Sequence, residues 1–382
     1  MDLVCRAVPR RNPPDPSASV AVSVLVPVLD EEQHIRHTVE AMRAQEFDGE
    51  LEFLFADGGS TDRTRPILEE LAEQDPRIRV FDNPRLRTPS GLNVCLAHAR
   101  GKYVARMDAH TFYPPRYLAA GVERLERGDT SWVSGPAIPR PVGRISRAVA
   151  VALGTWMGQG GSRKWQEAPD TGEVSGEEVE LDTGVFAGVW RRERVLESGG
   201  WDESWPRNQD AEMAGRFLTD GETLVCIPEM AAHYIPRDTL QGLAKQYWGY
   251  GFYRVRTARR HPESMRRSHV LGPGMVLTWP AAVLAPKPLR GLARAGLAVY
   301  VSGLASVSLG AWRRGRRAEA PLLPAVLMAI QGGNGVGFLH GFVKFGLPWA
   351  SLARIAGLGG LARRIGPSDP SAVWAPSLHG DA

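Results

Sequence analysis

The stretch "YVARMDAHTFYP" at 103–114 places a carboxylate, Asp108, two positions before an imidazole, His110, directly after a short apolar run. Side chains at positions i and i+2 of an extended strand end point to the same side, so both groups can bind one cation. An imidazole nitrogen suits Mn²⁺ better than Mg²⁺, which prefers oxygen ligands. The pair therefore predicts a divalent metal site for Mn²⁺ or Mg²⁺. Alternatively, His110 supports the site by bonding Asp108 or a phosphate.

Other acidic residues lie at the ends of further apolar runs. Asp30 and Glu31 follow "VAVSVLVPVL", and Asp57 ends "ELEFLFAD". Because the carboxyl ends of parallel strands meet at one edge of a sheet, these groups are expected to converge on Asp108. So much negative charge requires a cation or a donor-rich ligand among the side chains, which indicates a binding site.

The elements that would position these residues alternate between strand and helix. Apolar, β-branched runs predict strands at 20–30, up to Asp57, at 77–83 and at 102–110. Apolar residues at helical spacing between them predict helices. This alternation predicts an α/β, Rossmann-like fold with a mostly parallel sheet flanked by helices.

Composition divides the 382 residues into four parts. Residues 1–19 are rich in Pro and Arg without a continuous apolar run, which predicts a disordered leader rather than a signal peptide. Residues 20–262 form the predicted α/β domain. Residues 263–346 form a hydrophobic helical region that is expected to associate with a membrane, and 347–382 form a C-terminal tail.

Three apolar stretches lie in the C-terminal region, at 270–285, 291–312 and 321–343. The second has 18 uncharged residues after Arg294, close to the roughly 20 that span a bilayer. The basic clusters beside these stretches favour the cytoplasmic side of the membrane. Alternatively, the region is an ordinary buried helical subdomain or contains a helix lying in the membrane plane.

The charged and sulfur-containing residues limit the partners. Lys and Arg number 46 against 42 Asp and Glu, and the basic runs flank apolar stretches, which favours phospholipid headgroups over nucleic acid. We therefore expect no nucleic-acid partner. The three cysteines lack CxxC spacing, which argues against a disulfide framework or a zinc site and for a cytoplasmic setting.

Five motifs in order resemble family 2 glycosyltransferases with the GT-A fold. They are "VPVLDEE" (26–32), "ADGGSTD" (56–62), "RMDAH" (106–110), "GGWDESWPRNQDAEM" (199–213) and "QYWGYG" (246–251). The resemblance covers about residues 20–260 and implies that 20–262 is a GT-A glycosyltransferase domain. The "DAH" and the "TPSGLN" at 88–93 look most like bacterial succinoglycan-type glucosyltransferases of exopolysaccharide synthesis.

The resemblance implies a donor site for a nucleotide sugar. Asp57 would accept the imide N–H of uracil, beside nucleotide-lining positions at Pro27, Leu29 and Glu31. Alternatively, Asp57 caps the helix that follows it. Asp108 and His110 match the DxD motif that holds the cation on the diphosphate. A DxH version is similar to that of the polypeptide N-acetylgalactosaminyltransferases, which implies a third ligand at His233, although an ordinary structural role explains His233 as well.

The resemblance also implies an acceptor side. Asp210 is the expected general base, with Glu212 as a weaker rival, and Asp202 and Glu203 as capping or loop carboxylates. Acceptor or phosphate contacts are expected from Gln246, Trp248 and Arg237. Further arginines at 254 and 256 are either phosphate contacts or a solvated basic face, and Trp248 either contacts the acceptor or packs against the protein or lipid.

The chain departs from the family pattern at several positions. Ala56 and Gln209 replace carboxylates, and Gly249 replaces the arginine expected in processive enzymes. A proton acceptor needs one carboxylate, so activity is expected to survive at Asp210. The change at Gly249 favours a single-addition enzyme.

The sequence thus predicts an inverting, metal-dependent hexosyltransferase. It would transfer a sugar from a UDP-sugar to a lipid-linked glycan at the cytoplasmic face of the membrane, in cell-surface or extracellular polysaccharide synthesis. One alternative is a polyprenyl-phosphate glycosyltransferase, which needs no base. Another is a sugar-nucleotide-binding membrane module that has lost catalysis. A dehydrogenase is disfavoured because no GxGxxG follows the first strand.

Overall fold

The computed structural model describes residues 19–159, 176–184 and 187–369. The predicted leader at 1–19 lies outside the described residues apart from Ser19, and so does the part of the predicted tail at 370–382.

Strands and helices alternate in the first part of the chain, and helices follow one another in the last part. The strands are β1 (Val20–Val28), β2 (Glu50–Asp57), β3 (Ile78–Asp82), β4 (Tyr103–Arg106), β5 (Thr111–Phe112), β6 (Trp132–Ser134), β7 (Ala137–Pro139), β8 (Val179–Glu180), β9 (Gly188–Arg191), β10 (Leu224–Cys226) and β11 (Ala232–Tyr234). The helices are α1 (Ile35–Arg43), α2 (Thr64–Gln74), α3 (Thr88–His98), α4 (Tyr117–Glu126), α5 (Arg144–Leu153), α6 (Trp156–Gln159), α7 (Arg192–Glu197), α8 (Gln209–Thr219), α9 (Leu240–Arg260), α10 (Leu271–Leu284), α11 (Lys287–Arg313), α12 (Leu323–Phe345), α13 (Trp349–Ile355) and α14 (Gly359–Ile365).

The main sheet has eight strands in the order β3-β2-β1-β4-β9-β6-β10-β8. The first four strands along the chain pair in parallel, as their alternation with helices predicted. Beyond them, β9 runs antiparallel to both β4 and β6. The predicted α/β fold is therefore present, with a parallel half that carries the motif residues and a mixed half that extends it.

The sheet is buried on both faces, as β1 shows. Val22, Val24 and Val26 pack in one core cluster, whereas Leu25 packs in the other with Leu54. Successive side chains of a strand point to opposite faces, so a near-continuous apolar run marks a strand that is covered by helices on both sides. Each fully buried aliphatic side chain contributes about 1.5–3 kcal/mol to folding.

Within the described residues, a second sheet has three strands in the order β5-β11-β7, and its strand β5 follows β4 closely in the chain. β11 pairs antiparallel with β5 and parallel with β7. Since β5 begins three residues after Asp108, this small sheet constrains the chain directly beyond the predicted metal-binding pair.

The C-terminal helices attach to the sheet domain through α9. A Cβ at Gly251 of α9 would lie 2.0 Å from the carbonyl oxygen of Asn334, and one at Gly337 of α12 would lie 2.0 Å from that of Trp248. Only glycines allow backbones to approach so closely. α12 therefore packs tightly along α9.

Two helices of the described chain are long and apolar enough to cross a membrane, Lys287–Arg313 and Ala320–Phe345. In their most apolar windows, 11% and 39% of the residues are buried, respectively. The second is partly a packing helix, because α12 covers α9.

Part of the predicted C-terminal tail is folded. Residues 347–369 contain α13 and α14, and the hydroxyl of Ser351 donates to the carbonyl of Ala258 in α9 at 2.6 Å.

Candidate active site

A cavity of about 1590 Å³ opens at the edge of the sheet where the parallel strands end. Polar residues from the loops of the sheet line one part, among them Asp30, Glu31, Asp62, Arg106, Asp108, His110 and Asp210. Apolar residues from α10, α11 and α12 line another part, among them Met275, Leu297, Val299, Tyr300 and Ile330. The cavity therefore joins the predicted chemistry to the C-terminal helices.

The loops after β1 and β2 are tied together by hydrogen bonds. Asp30, which has a φ of 53°, accepts from the backbone N–H of Thr61 at 2.8 Å, and its own N–H donates to the hydroxyl of Ser60 at 3.0 Å. The N–H of Glu31 donates to the hydroxyl of Thr64 at 2.7 Å. These bonds hold the two acidic loops in register, and the N–H of Thr61 partly offsets the negative charge of Asp30.

Asp57 ends β2 and is buried, and it does not line the cavity. Its Oδ1 accepts from the N–H and the hydroxyl of Ser60, at 3.2 and 2.6 Å. One oxygen of Asp57 thus stabilises the turn after β2. It does not cap the following helix, the role considered as the alternative, because α2 begins at Thr64 without a side-chain cap hydrogen bond. The other predicted nucleotide positions, Pro27 and Leu29, also lie outside the cavity lining, whereas Glu31 lies within it.

The centre of the polar part is a buried guanidinium, that of Arg106 at the end of β4. Its Nε and Nη2 donate to the two oxygens of Asp108 at 2.8 and 3.0 Å, and its Nη1 donates to Oδ1 of Asp210 at 2.7 Å. Burial by itself lowers the pKa of Arg106, but the charges of Asp108 and Asp210 outweigh this and raise the pKa above its ordinary value. Arg106 thus joins two carboxylates from distant parts of the chain, since Asp210 lies 104 positions after it.

Asp210 stands in the first turn of α8, which starts directly after Asn208. Asn208 adopts a left-handed conformation with a φ of 63°, which asparagine tolerates better than most residues. A Cβ at Gly184 would lie 2.3 Å from the carbonyl oxygen of Asp210, so a glycine is required where that segment approaches the helix. The neighbouring Gln209 is buried.

His110 faces the loop after β1. Its Nδ1–H donates to Oε1 of Glu31 at 2.9 Å. This hydrogen bond raises the pKa of His110 above its ordinary value, against the opposing effect of burial. Asp108 and His110 both line the cavity, as the shared direction of i and i+2 side chains predicted.

His233 lies in β11 and does not line the cavity. Its register partner is Phe112, whereas the next pair, Tyr234 and Thr111, contributes to the cavity lining. Alternate side chains of a strand point to opposite faces, so the ring of His233 faces away from His110. Burial, together with the charge of Arg140, lowers the pKa of His233. The structure does not bring the predicted third ligand to the other two.

Glu212 belongs to a buried ionic network. It accepts hydrogen bonds from Arg216 at 3.0 Å, from Arg260 at 3.0 Å and from His261 at 3.5 Å. Burial raises the pKa of its carboxyl, but the hydrogen bond from His261 and the charge of Arg216 outweigh burial and lower the pKa to about 2. Glu212 therefore supports α8 and is no rival to Asp210. Asp202 likewise pairs with Arg260, at 2.6 Å.

The Glu212 network predicts a specific acid sensitivity. A carboxyl with a depressed pKa in the folded state stabilises it above the pKa of the unfolded chain, and this stabilisation is lost as the pH falls toward about 2. At pH 7, Glu212→Gln should lower the free energy of unfolding by about 3 kcal/mol. The difference should shrink between about pH 4.5 and pH 2, measured by denaturant unfolding in parallel with the wild type. A difference that does not change with pH would contradict the assignment.

The residues of α9 divide between the cavity and the protein interior. Gln246 lines the cavity and donates to the hydroxyl of Tyr250 at 3.1 Å, and Arg254 and the preceding Arg237 line it too. Trp248 stacks on Phe252, with ring centroids 5.1 Å apart, and lies outside the lining. Trp248 therefore packs within the protein rather than facing the cavity.

The side chain of Arg256 makes its contacts within the protein. It donates to the carbonyl of Ser204 at 2.8 Å, pairs with Asp369 at 3.3 Å, and lies 3.6 Å from the ring centroid of Trp205. Of the two further arginines considered for phosphate contacts, only Arg254 therefore faces the cavity.

The side chains that could hold a divalent cation are those of Asp108 and His110. Across residues 19–159, 176–184 and 187–369, no group of three or more His, Cys, Asp or Glu side chains is arranged to hold a metal ion. A carboxylate has about four lone-pair sites, so Asp108 retains acceptor capacity beside its two bonds to Arg106. Cations in phosphate-binding sites are often held by one or two protein ligands together with substrate phosphates. The pair of Asp108 and His110 fits such a partial site.

Two features of the site were not assigned from the sequence. The motif "RMDAH" includes Arg106 but assigns it no role. The available signal was its position, because a charged residue two positions before Asp108 in an apolar strand lies on the same face of the strand as Asp108. The hydroxyl of Thr183 is buried at the cavity wall without a hydrogen-bond partner among the described residues. No pattern in the sequence distinguishes this threonine.

The fold and the site define the class of protein. The family model described as "Glycosyl transferase family 2" matches residues 23–173. The chain belongs to glycosyltransferase family 2, because its similarity to one member extends over most of both proteins. That relative is the succinoglycan biosynthesis protein ExoA of Rhizobium meliloti (strain 1021), 31% identical over 303 residues that cover 78% of this chain and 84% of that protein. The family predicted from the motifs is confirmed.

Two further proteins are similar. A Methanococcus voltae protein is 23% identical over 60% of this chain and 71% of its own length; it is named dolichyl N-acetyl-α-D-glucosaminyl phosphate 3-β-D-2,3-diacetamido-2,3-dideoxy-β-D-glucuronosyltransferase. The solved structure of mannosyltransferase PcManGT from Pyrobaculum calidifontis, in complex with GDP-Man and Mn²⁺, matches with a TM-score of 0.53 at 19% identity, covering 84% of this chain and 88% of that chain. This match supports the predicted GT-A fold.

Proposed function

We propose that this glycosyltransferase moves a hexose from a UDP-sugar to a hydroxyl of a lipid-linked glycan, with inversion at the anomeric carbon. The observation that carries the proposal is the meeting of Asp108 and Asp210 on the guanidinium of Arg106 inside one cavity. In this proposal, Asp108 serves the donor and Asp210 serves the acceptor.

Asp210 acts on the acceptor. Its carboxylate takes the proton of the attacking hydroxyl while the hydroxyl oxygen forms a bond to the anomeric carbon and the bond to UDP breaks. A single displacement of this kind inverts the anomeric configuration. Arg106 holds the carboxylate in place through a charge-assisted hydrogen bond to Oδ1, which lies 2.7 Å from Nη1.

Asp108 and His110 serve the donor. They would hold a divalent cation, which supplies charge that stabilises the departing diphosphate. The hydrogen bond between His110 and Glu31 orients the imidazole by fixing the proton on Nδ1, which leaves Nε2 as the metal-binding nitrogen. The uridine donor is proposed from the motif at Asp57, whose Oδ2 the turn leaves unused, although Asp57 itself lies outside the cavity lining.

The setting follows from the C-terminal helices and the relatives. We propose that the enzyme acts at the cytoplasmic face of the membrane, with α11 and the Ala320–Phe345 segment as its membrane contact. A role in exopolysaccharide synthesis is supported by the similarity to a succinoglycan biosynthesis protein. A lipid-linked acceptor is supported by the dolichyl glycosyl phosphate in the name of the second relative.

A phosphate acceptor is the second candidate. It is favoured by Arg237 and Arg254, which line the cavity and make no ion pair with any residue in the described ranges. A lipid phosphate needs no deprotonation, so the candidate predicts that Asp210 is dispensable.

The experiment that tests the proposed function is a donor screen. Release of UDP is measured from a panel of UDP-sugars, with Mn²⁺ and with Mg²⁺, in the presence of lipid-linked glycans extracted from bacterial membranes. GDP-mannose serves as the comparison nucleotide. We expect release from one UDP-sugar in excess of that from GDP-mannose. Binding of UDP without release from any donor would support the non-catalytic module instead.

His110 should set the choice of metal. His110→Asp replaces a nitrogen ligand by oxygen, so the ratio of activity with Mn²⁺ to activity with Mg²⁺ should fall several-fold, by about 1 kcal/mol of relative metal preference. His233→Asp is the matched control, because His233 lies outside the cavity lining and should leave the ratio unchanged. An equal change in both variants would contradict the assignment of His110.

A further inference from the structure

The cavity extends well beyond the space around Asp108 and Asp210. Its lining continues along α10, α11 and α12 through Met275, Leu297, Tyr300 and Ile330. None of these side chains is charged, and they belong to helices that carry many exposed apolar residues, such as Leu292 at 72% exposure and Val299 at 73%. The same helices also contribute the uncharged polar side chains of Thr278, Gln331 and Asn334, so this part of the lining is uncharged and mainly apolar. It offers contact to a hydrocarbon chain.

Cationic side chains lie between the polar and the apolar lining. Arg207 precedes α8, Arg237 precedes α9 and Arg254 lies within α9, and all three line the cavity. Arg207 and Arg237 both act electrostatically on the hydroxyl of Tyr250, as does Asp210, which places them at the acceptor side of the base.

These arginines differ from others nearby in their pairing. Arg256, Arg260 and Arg266 each form a salt bridge with an aspartate. The side chains of Arg207, Arg237 and Arg254 form no hydrogen bond or salt bridge with any part of the chain that the structure describes. Arg254 is half-buried, and burial lowers its pKa to about 10, so it remains charged at neutral pH without an anion beside it. A desolvated, unpaired guanidinium is costly, and a bound anion would offset the cost.

We propose, on the basis of the proposed function, that this junction binds the phosphate headgroup of an isoprenoid lipid. Arg254 is the principal contact to the phosphate, with Arg207 and Arg237 beside it, and the isoprenoid chain lies along Met275, Leu297 and Tyr300. The lipid would thereby anchor the acceptor glycan so that its terminal hydroxyl reaches Asp210.

Charge and apolar surface together select this occupant. A free sugar nucleotide matches the arginines but not the apolar lining, and a neutral lipid matches the lining but leaves the arginines unpaired. Guanidinium groups bind phosphate oxygens through paired, charge-assisted hydrogen bonds. A lipid with a phosphate at one end of a hydrocarbon chain satisfies both parts of the cavity.

The test uses the full chain in detergent micelles and isothermal titration calorimetry. The probes are farnesyl diphosphate, farnesol and inorganic diphosphate, each titrated also into micelles without protein. We expect farnesyl diphosphate to bind about tenfold or more tightly than either other probe, because only it meets both parts of the cavity. Farnesyl diphosphate binding no tighter than inorganic diphosphate would overturn the proposal.

Two pairs of variants locate the contacts. Arg254→Gln should weaken binding of farnesyl diphosphate about tenfold, whereas Lys245→Gln, an exposed charge on the same helix outside the lining, should not. Leu297→Gln should weaken farnesyl diphosphate and farnesol but not inorganic diphosphate, and Leu292→Gln, exposed on the same helix, should change none. An unchanged affinity of Arg254→Gln for farnesyl diphosphate would overturn the proposal. A loss of affinity for the UDP-sugar in the same variant would also overturn it, because that result would assign Arg254 to the donor.

The outcomes separate this proposal from the function it builds on. UDP release by the same wild-type preparation tests the glycosyl transfer, and farnesyl diphosphate binding tests the lipid site. Binding without UDP release contradicts only the proposed function, whereas UDP release without binding contradicts only the lipid site.

Discussion

Replacing Asp210 with asparagine is expected to lower the rate of sugar transfer about a thousandfold, the range of general-base contributions. The carboxylate lines the cavity, is held by Arg106 at 2.7 Å, and stands in the first turn of α8 with Gly184 packed against its backbone. Asparagine keeps the shape of the side chain and removes its ability to take a proton. The effect should therefore appear in kcat, measured as UDP release with a saturating acceptor.

Binding measurements distinguish this chemistry from a loss of structure. The Asp210→Asn protein should bind UDP with unchanged affinity, since the donor side is built from other residues. Glu212→Gln, two positions along the same helix, should instead lower stability while leaving kcat within a few-fold of the wild type, because Glu212 is buried in its own network. If Asp210→Asn retained most activity, a phosphate acceptor would replace the hydroxyl acceptor in the proposed function.

Replacing Arg106 with methionine should damage both stability and catalysis. The variant leaves the carboxylates of Asp108 and Asp210, with side-chain exposures of 14% and 17%, without their shared partner. Removing one partner of a buried ionic group costs about 3–5 kcal/mol. Because the two carboxylates would also lose their fixed positions, we expect sugar transfer to fall about a hundredfold or more. Denaturant unfolding and UDP release measure the two effects.

Two companion variants separate positioning from general destabilisation. Arg106→Lys retains the charge but cannot donate to three oxygens from one planar group, so stability should recover more than activity. Combining Arg106→Met with Asp210→Asn removes one of the repelling charges, and the double variant should be more stable than Arg106→Met alone. Additive losses in the double variant would contradict the role of Arg106 as a bridge.

The parallel half of the fold could be predicted from the sequence because its signals are local. Strands β1 to β4 are mainly apolar runs separated by segments of helical periodicity, and β2 ends at Asp57 as predicted. In each case, neighbouring residues decide the outcome through burial on two faces or through the geometry of a turn.

The second half of the sheet depends on contacts between distant segments. β9 pairs with β4, although the two strands are far apart in the sequence. β4 ends at Arg106, and 81 positions separate this residue from Ala187, the residue directly before β9. The antiparallel direction of β9 and its partner strands cannot be read from a local pattern, because the pairing depends on which edge of the sheet remains free. The small sheet of β5, β11 and β7 has the same origin.

The motif residues alone led to the family, the GT-A fold and the candidate roles of Asp108, His110 and Asp210, since chemistry of this kind needs those groups at those strand and helix ends. The tertiary structure decided how they are held. Arg106 bridges two carboxylates because β4 and the start of α8 meet at one edge, and His233 faces away because alternation along β11 puts Tyr234 on the cavity side. Local pattern specifies which groups a segment offers, whereas the packing of segments far apart in the chain determines which of them can act together.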